Sequence, residues 1–276
     1  MNANEILSVK NGEKPLDNLV KDGGFASIFR TIAVVGDSLS SGEFESQKDG
    51  VKGYHDYFEY SWGQYMARDL GSTVYNFSRG GMTAGEYCNG FADAMNFWNP
   101  KYFAQAYIIA LGVNDVSRLL SGSMYAEGFG SMSDVDFDDP DNNKNSFVGY
   151  YCRIIQKLRK ISPDSKIFVM TIPRDSEIIA NPARDEYNEK HAEFLRSLDK
   201  YFKNVYVLDF RAYAPDYDKE FEKKYYMGGH LNAMGYVLTA RMVESYIDYI
   251  IRANYEDFKQ VPFIGTAFSN ELAKPL

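Results

Sequence analysis

The run Thr31-Ile32-Ala33-Val34-Val35-Gly36-Asp37-Ser38-Leu39 limits this chain more than any other stretch. Four consecutive apolar residues, Ile32 to Val35, have the length and character of a strand buried on both faces. The run stops at Gly36-Asp37-Ser38, residues that suit a sharp turn: glycine tolerates positive φ, and Asp and Ser bond their own backbone. Ser38 is therefore expected at the carboxyl end of a first central strand, the edge at which open α/β sheets bind ligands. On its own the signal is weak, because a serine after a strand is commonly a helix N-cap. It needs partners elsewhere in the chain.

The rest of the sequence alternates strand and helix patterns. Residues 1–30 read as a polar lead-in, and 42–60 as a long loop crowded with Tyr54, His55, Tyr57, Phe58 and Tyr60. A short helix follows, capped by Ser61 and stopped by Gly71. Residues 72–77 form a second strand, and a helix is expected from about Ala84 to Trp98. Ala106 to Leu111 is a third strand, and 117–146 reads as irregular. Then come a helix near 147–161, a strand over 166–172, a helix near 183–202, a strand over 204–209, and a last helix after Asn232. In that helix Val237, Ala240, Val243, Ile247, Ile250 and Ile251 share one face. The tail, 255–276, is expected to pack as an extended strap. Five apolar strands separated by helices predict one domain over 1–276, an α/β fold with a parallel sheet between two helical layers, a three-layer α/β/α sandwich.

Composition excludes several classes. A net charge of −8 with no local Lys/Arg cluster argues against a nucleic-acid or anionic-membrane partner. No apolar run reaches membrane-spanning length, and the start lacks a signal-peptide core, so the expectation is a cytoplasmic protein, or an exported one if a leader has been removed. Cys88 and Cys152 are read as free buried thiols, with a single disulfide the alternative. Asp134 to Asp141 begins D-x-D-x-D but lacks the glycine and glutamate of a calcium loop, so a solvated acidic loop is expected. No His/Cys cluster suggests zinc, and neither metal nor organic cofactor is expected.

Three strand ends carry residues that chemistry could use: Ser38, the pair Gly80-Gly81, and Asn114. In a parallel sheet all three face one edge. His230, just before the last helix, can reach that edge as well. A serine hydroxyl needs a neighbouring imidazole to take its proton, and the tetrahedral intermediate needs preorganised donors. The backbone N–H groups of Ser38 and Gly81 and the side-chain amide of Asn114 would supply three. His191 reads as structural or solvated, and His55 as a surface residue, with contact to substrate the alternative.

These blocks, Gly36-Asp37-Ser38-Leu39, the glycine within 76–83, Gly112-Val113-Asn114-Asp115 and His230-Leu231-Asn232, occur in one order over residues 31–235. In that order they resemble the GDSL/SGNH hydrolase family. The resemblance implies a flavodoxin-like sandwich and a serine esterase with Ser38 as nucleophile, His230 as base, and Gly81 and Asn114 as oxyanion donors. Gly81 is preferred to Gly80 because it stands five residues after Asn76, as in the family's second block.

In one place the sequence departs from that pattern. Most members have an Asp three residues before the histidine, where this chain has Met227. Two substitutes are open: the backbone carbonyl of Met227, or a carboxylate from elsewhere, with Asp209, Asp216, Asp218, Glu220 and Glu222 near in sequence. In a serine protease, losing the acid costs turnover roughly 3 × 10⁴, against roughly 2 × 10⁶ for the serine or histidine, so the departure is not fatal to the enzyme reading. The expected activity is hydrolysis of short acyl esters, acetyl above all, on carbohydrates. The alternatives are a longer-chain lipase, lysophospholipase or thioesterase, and a carbohydrate-binding homologue without hydrolytic activity.

Overall fold

The computed structural model describes residues 5, 7–122, 125, 127–175 and 181–263. Its centre is a five-stranded sheet built from β1 (Thr31–Gly36), β4 (Thr73–Ser78), β5 (Ala106–Ala110), β6 (Lys166–Met170) and β7 (Val205–Leu208). Their order is β4-β1-β5-β6-β7, and every neighbouring pair is parallel. The second strand in sequence lies outside the first, so the order reverses between β1 and β5, the flavodoxin-like arrangement whose switch point is a preferred ligand position.

Alternation along β1 explains why the strand is apolar throughout. Ala33 and Val35 enter one core with Tyr107, Ile109, Ile167 and Val169, covered by helices over Phe147–Ile161 and Pro182–Ser197. Ile32 and Val34 enter the other with Ile108 and Phe168, covered by helices over Trp62–Leu70 and Ala233–Ala253 and by Ala26 and Phe29 of the lead-in. All four of these β1 residues are fully buried. Burying one Val or Ile side chain contributes roughly 1.5–3 kcal/mol, so a polar residue in β1 would be costly on either face. The three-layer α/β/α sandwich is as expected.

The helix boundaries follow their caps. The Ser61 side chain accepts from Gln64 N–H and Gly71 closes that helix in the left-handed region, while the Asn232 side chain accepts from Gly235 N–H at the start of the last helix. Such caps contribute about 1 kcal/mol each.

Three expectations need correction. Residues 42–60 are not a loop: β2 (Glu43–Lys48) and β3 (Val51–Asp56) form an antiparallel hairpin, closed by Asp49 and Gly50, both at positive φ. Asp-Gly is the residue pair that such a two-residue turn prefers. The helix expected over 84–98 is broken, with non-helical backbone at Asn89 and Gly90, where Gly90 reaches φ +154°. A helix also extends through Val113–Ser121, into the stretch read as irregular. In the tail, Tyr255–Phe258 is a helical turn, Phe258 is buried, and 264–276 lie outside the described residues.

The acidic loop is organised by its own carboxylates. Asp134 pairs with Lys144 and accepts from Ser131 N–H, and Asp136 accepts from the N–H groups of Asp138 and Asp139. Cys88 and Cys152 are both free.

Candidate active site

The sheet register brings three strand ends level. Gly36 of β1 pairs with Ser78 of β4 on one side and Ala110 of β5 on the other. Two, three and four residues further on stand Ser38, Gly81 and Asn114.

Ser38 opens α1, a single turn over Ser38–Ser41, with Asp37 as its N-cap accepting from Leu39 N–H at 3.1 Å. The first N–H groups of a helix lack partners within it, and neither the Ser38 N–H nor the Ser38 hydroxyl makes a hydrogen bond among the described residues. Gly81, at φ +71°, is exposed, and nothing lies within 4 Å of where a side chain would begin. Asn114 enters from the first turn of the helix over Val113–Ser121. Its amide nitrogen lies 3.2 Å from the Met82 carbonyl and 3.4 Å from Asp37 Oδ2. It is thus placed against the residues adjoining Gly81 and Ser38.

Buried groups hold this corner. Asp115 accepts from the Ala84 N–H and the Tyr125 hydroxyl. Burial pushes the Asp115 carboxyl up to about 6 and the Asp37 carboxyl up to about 7, the latter raised further by Asp115 and Glu43. His191, fully buried, lies with Nε2 3.1 Å from the Leu111 carbonyl, just before Gly112, and burial lowers its pKa to about 4. It is therefore structural, as expected, and a neutral donor at neutral pH.

A small cavity opens beside α1, with a volume of 40 Å³. Leu39, Val113, Met170, Ile172 and Pro173 form its apolar wall, and Asp37 lies at its edge.

His230 arrives on a separate piece of structure. β8 (Tyr226–Met227) and β9 (His230–Leu231) form a minimal hairpin in which Met227 pairs with His230 across Gly228-Gly229. The ring lies between two carboxylates from β2. Nδ1 is 3.0 Å from Glu45 Oε1 in a hydrogen bond. Nε2 is 2.9 Å from Glu43 Oε1, a contact without the alignment of a hydrogen bond. Tyr54 of β3 meets the ring edge-on, with centroids 6.0 Å apart.

The expected partner of His230 is therefore revised. The partner of His230 Nδ1 is Glu45 and not the Met227 carbonyl. Among the carboxylates near in sequence, Asp209 accepts from Arg196 and Thr171, and Asp218 caps the Phe221 N–H. The structure brings Ser38, Gly81 and Asn114 to one edge, but no hydrogen bond joins the Ser38 hydroxyl to His230.

Glu43 and Glu45 went unnoticed in the sequence, although a signal was available. Asp49-Gly50 between two six-residue stretches marks a hairpin, and the two-residue period of a strand puts Glu43 and Glu45 on one face. Phe44 points the other way, its ring 5.4 Å from that of Tyr236, while Tyr236 donates its hydroxyl to the Glu43 carbonyl at 2.7 Å.

The two carboxylates are shifted in opposite directions. Lys52, then His230 and the Gly229 N–H, hold the Glu45 carboxyl down at about 2. Burial, with Asp56 and Glu45 nearby, pushes Glu43 up, although His230 and His55 oppose it.

A serine at the end of the first strand, with a glycine turn and an asparagine amide level beside it and a late histidine near, is an arrangement compatible with a serine-type ester hydrolase. The chain belongs to the GDSL-like Lipase/Acylhydrolase family, which matches residues 34–238, and is a carboxylic ester hydrolase. No curated protein matches it by sequence. Among solved structures it is similar in fold to a family two carbohydrate esterase from Clostridium thermocellum in complex with cellohexaose, at 17% identity and TM-score 0.55, over 87% of this chain and 66% of that one. A protein from Lactobacillus plantarum gives 17% identity and TM-score 0.55, over 80% and 97% of the two chains. The acetyl xylan esterase AlAXEase gives 19% and 0.51, over 79% and 99%. Among the described residues, no helix is long and apolar enough to cross a membrane.

Proposed function

We propose that the protein removes short acyl groups, acetyl above all, from carbohydrate esters through a covalent intermediate on Ser38. The observation that carries this reading is the position of the Asn114 amide, against Asp37 next to the candidate nucleophile and Met82 next to Gly81. It supports a pocket of three donors: the Ser38 N–H, the Gly81 N–H and Asn114 Nδ2. Donors fixed in advance at the developing oxyanion are the largest single source of rate in such reactions.

His230 Nε2 takes the Ser38 hydroxyl proton as Oγ bonds to the acyl carbon. The ester C–O bond then breaks, and the same proton passes to the departing sugar oxygen. Water repeats the sequence: it gives a proton to His230 Nε2 as its oxygen bonds to the acyl carbon, and as the acyl–Oγ bond breaks that proton passes to Ser38 Oγ, releasing the carboxylic acid and restoring the serine. For the first transfer the hydroxyl takes the place of Glu43 at Nε2. Contacts of this kind commonly tighten only with substrate bound.

Short acyl length is supported by the small apolar-walled cavity beside α1, which adjoins Ser38 through Asp37 and Leu39. Carbohydrate as the acyl carrier is supported by the names of the carbohydrate esterases that share the fold and by Tyr54, Tyr57 and Tyr60, exposed beside the site. Flat aromatic rings with a polar edge suit sugar faces.

The test is hydrolysis of p-nitrophenyl esters from acetate to palmitate. The expected result is highest kcat/KM for acetate, with a fall of more than about tenfold by octanoate, in line with 1–3 kcal/mol per misfitted methylene. A palmitate optimum would overturn the short-acyl reading. Absence of hydrolysis of every ester, with carbohydrate binding intact, would favour the binding homologue instead.

A further inference from the structure

We propose that Glu45 is the positioning residue that orients His230, a carboxylate delivered by the β2–β3 hairpin to the place where this chain has no acid before its histidine. The inference rests on the reading of Ser38 and His230 given above and names the group that completes it.

Three observations carry it. First, geometry: Glu45 Oε1 hydrogen-bonds His230 Nδ1 at 3.0 Å. Nδ1 is the nitrogen that must carry a proton if Nε2 is to act as base, because a neutral imidazole is a donor at one nitrogen and an acceptor at the other. Second, immobility: the same Oε1 accepts from the Gly229 N–H at 2.6 Å, and Oε2 accepts from Lys52 Nζ at 2.9 Å. Both oxygens are anchored, and one anchor lies in the histidine's own hairpin, so ring and carboxylate are held to each other. Third, space: a Cβ on Gly228 would come within 2.1 Å of Glu45 Oε2. The glycine turn next to His230 is thus shaped to admit this carboxylate.

Glu43 does not compete for the role. It approaches the opposite nitrogen without hydrogen-bond alignment, and its other oxygen lies over Gly80, whose added Cβ would be 2.1 Å away. Its side chain makes no hydrogen bond among the described residues, so nothing fixes it at Nε2 when a hydroxyl arrives.

Glu45→Gln keeps the shape and removes the charge. Loss of the acid in serine hydrolases lowers turnover by about 10⁴. The expected result is a fall in kcat of roughly 10³–10⁴, with KM within about twofold and the unfolding temperature near native. Partial recovery is expected in Glu45→Asp. A structural role alone would not separate kcat from KM in this way. Ser38→Ala is assayed in parallel. If Ser38→Ala abolishes hydrolysis while Glu45→Gln stays within about fivefold of native, this proposal fails and the nucleophile reading stands. If Ser38→Ala is itself active, the nucleophile reading fails. A measurement on the native protein needs no variant: NMR with ¹⁵N-labelled histidine at neutral pH should find His230 Nδ1 protonated. An unprotonated Nδ1 would overturn the assignment of Glu45.

Discussion

The two sides of the site are held by different means. Ser38, Gly81 and Asn114 sit on turns that close buried parallel strands, and the level pairing of Gly36 with Ser78 and Ala110 fixes their relative heights. A slip of one residue there would turn every apolar side chain of β1 to the wrong face. His230, Glu43 and Glu45 sit on two short antiparallel hairpins outside the central sheet, and side-chain contacts join them. Most of the β2–β3 hairpin is exposed. The proposed oxyanion donors are therefore set by the core itself, while the proposed base depends on a few polar contacts over a solvated arm. Regions with few buried apolar contacts open at lower cost than core strands. The division suits the chemistry: donors gain most from rigidity, whereas the base must exchange partners during each turnover.

Asn114→Ala is the sharpest test of the core-held side. If its amide is an oxyanion donor, kcat falls by about 10²–10³ with little change in KM. An unchanged rate, measured on p-nitrophenyl acetate, would remove Asn114 from the site and leave the comparison without its first half.

A smaller effect, on stability, reads the same side. Asp37 is pushed up to about 7 by burial, against about 3.9 for an unfolded Asp. Because the folded value is the higher one, its contribution is fully present below about pH 4 and is lost as the pH rises through 7. Asp37→Asn keeps the cap without the charge, and should gain on the native protein across that window by on the order of 1 kcal/mol per pH unit. Thermal unfolding of both proteins from pH 4 to 8 measures this. Parallel curves would contradict the raised pKa of Asp37.

The core-held side was legible in the sequence for the same reason that it is rigid. Continuous apolar strands and the glycine-rich turns after them are local patterns, and parallel pairing then leaves the ends of β1, β4 and β5 little freedom. Ser61, Gly71 and Asn232 marked helix ends because their capping chemistry is also local. The arm was not legible, because Glu43–Lys48 and Val51–Asp56 are mostly polar and carry no apolar alternation, and because the partner of His230 comes from 185 residues earlier. A contact between two hairpins at that separation leaves no periodicity to detect. The break at Gly90 was hidden by the helical pattern on either side of it.

The account stands on a covalent bond to Ser38. A fluorophosphonate, which traps activated serines, added to the native protein should leave one phosphonyl group on the peptide that contains Ser38, with hydrolysis lost in proportion. Ser38→Ala should take up none and lose turnover by about 10⁶. Hydrolysis by Ser38→Ala at the native rate, or complete inhibition with the adduct on another residue, would contradict it.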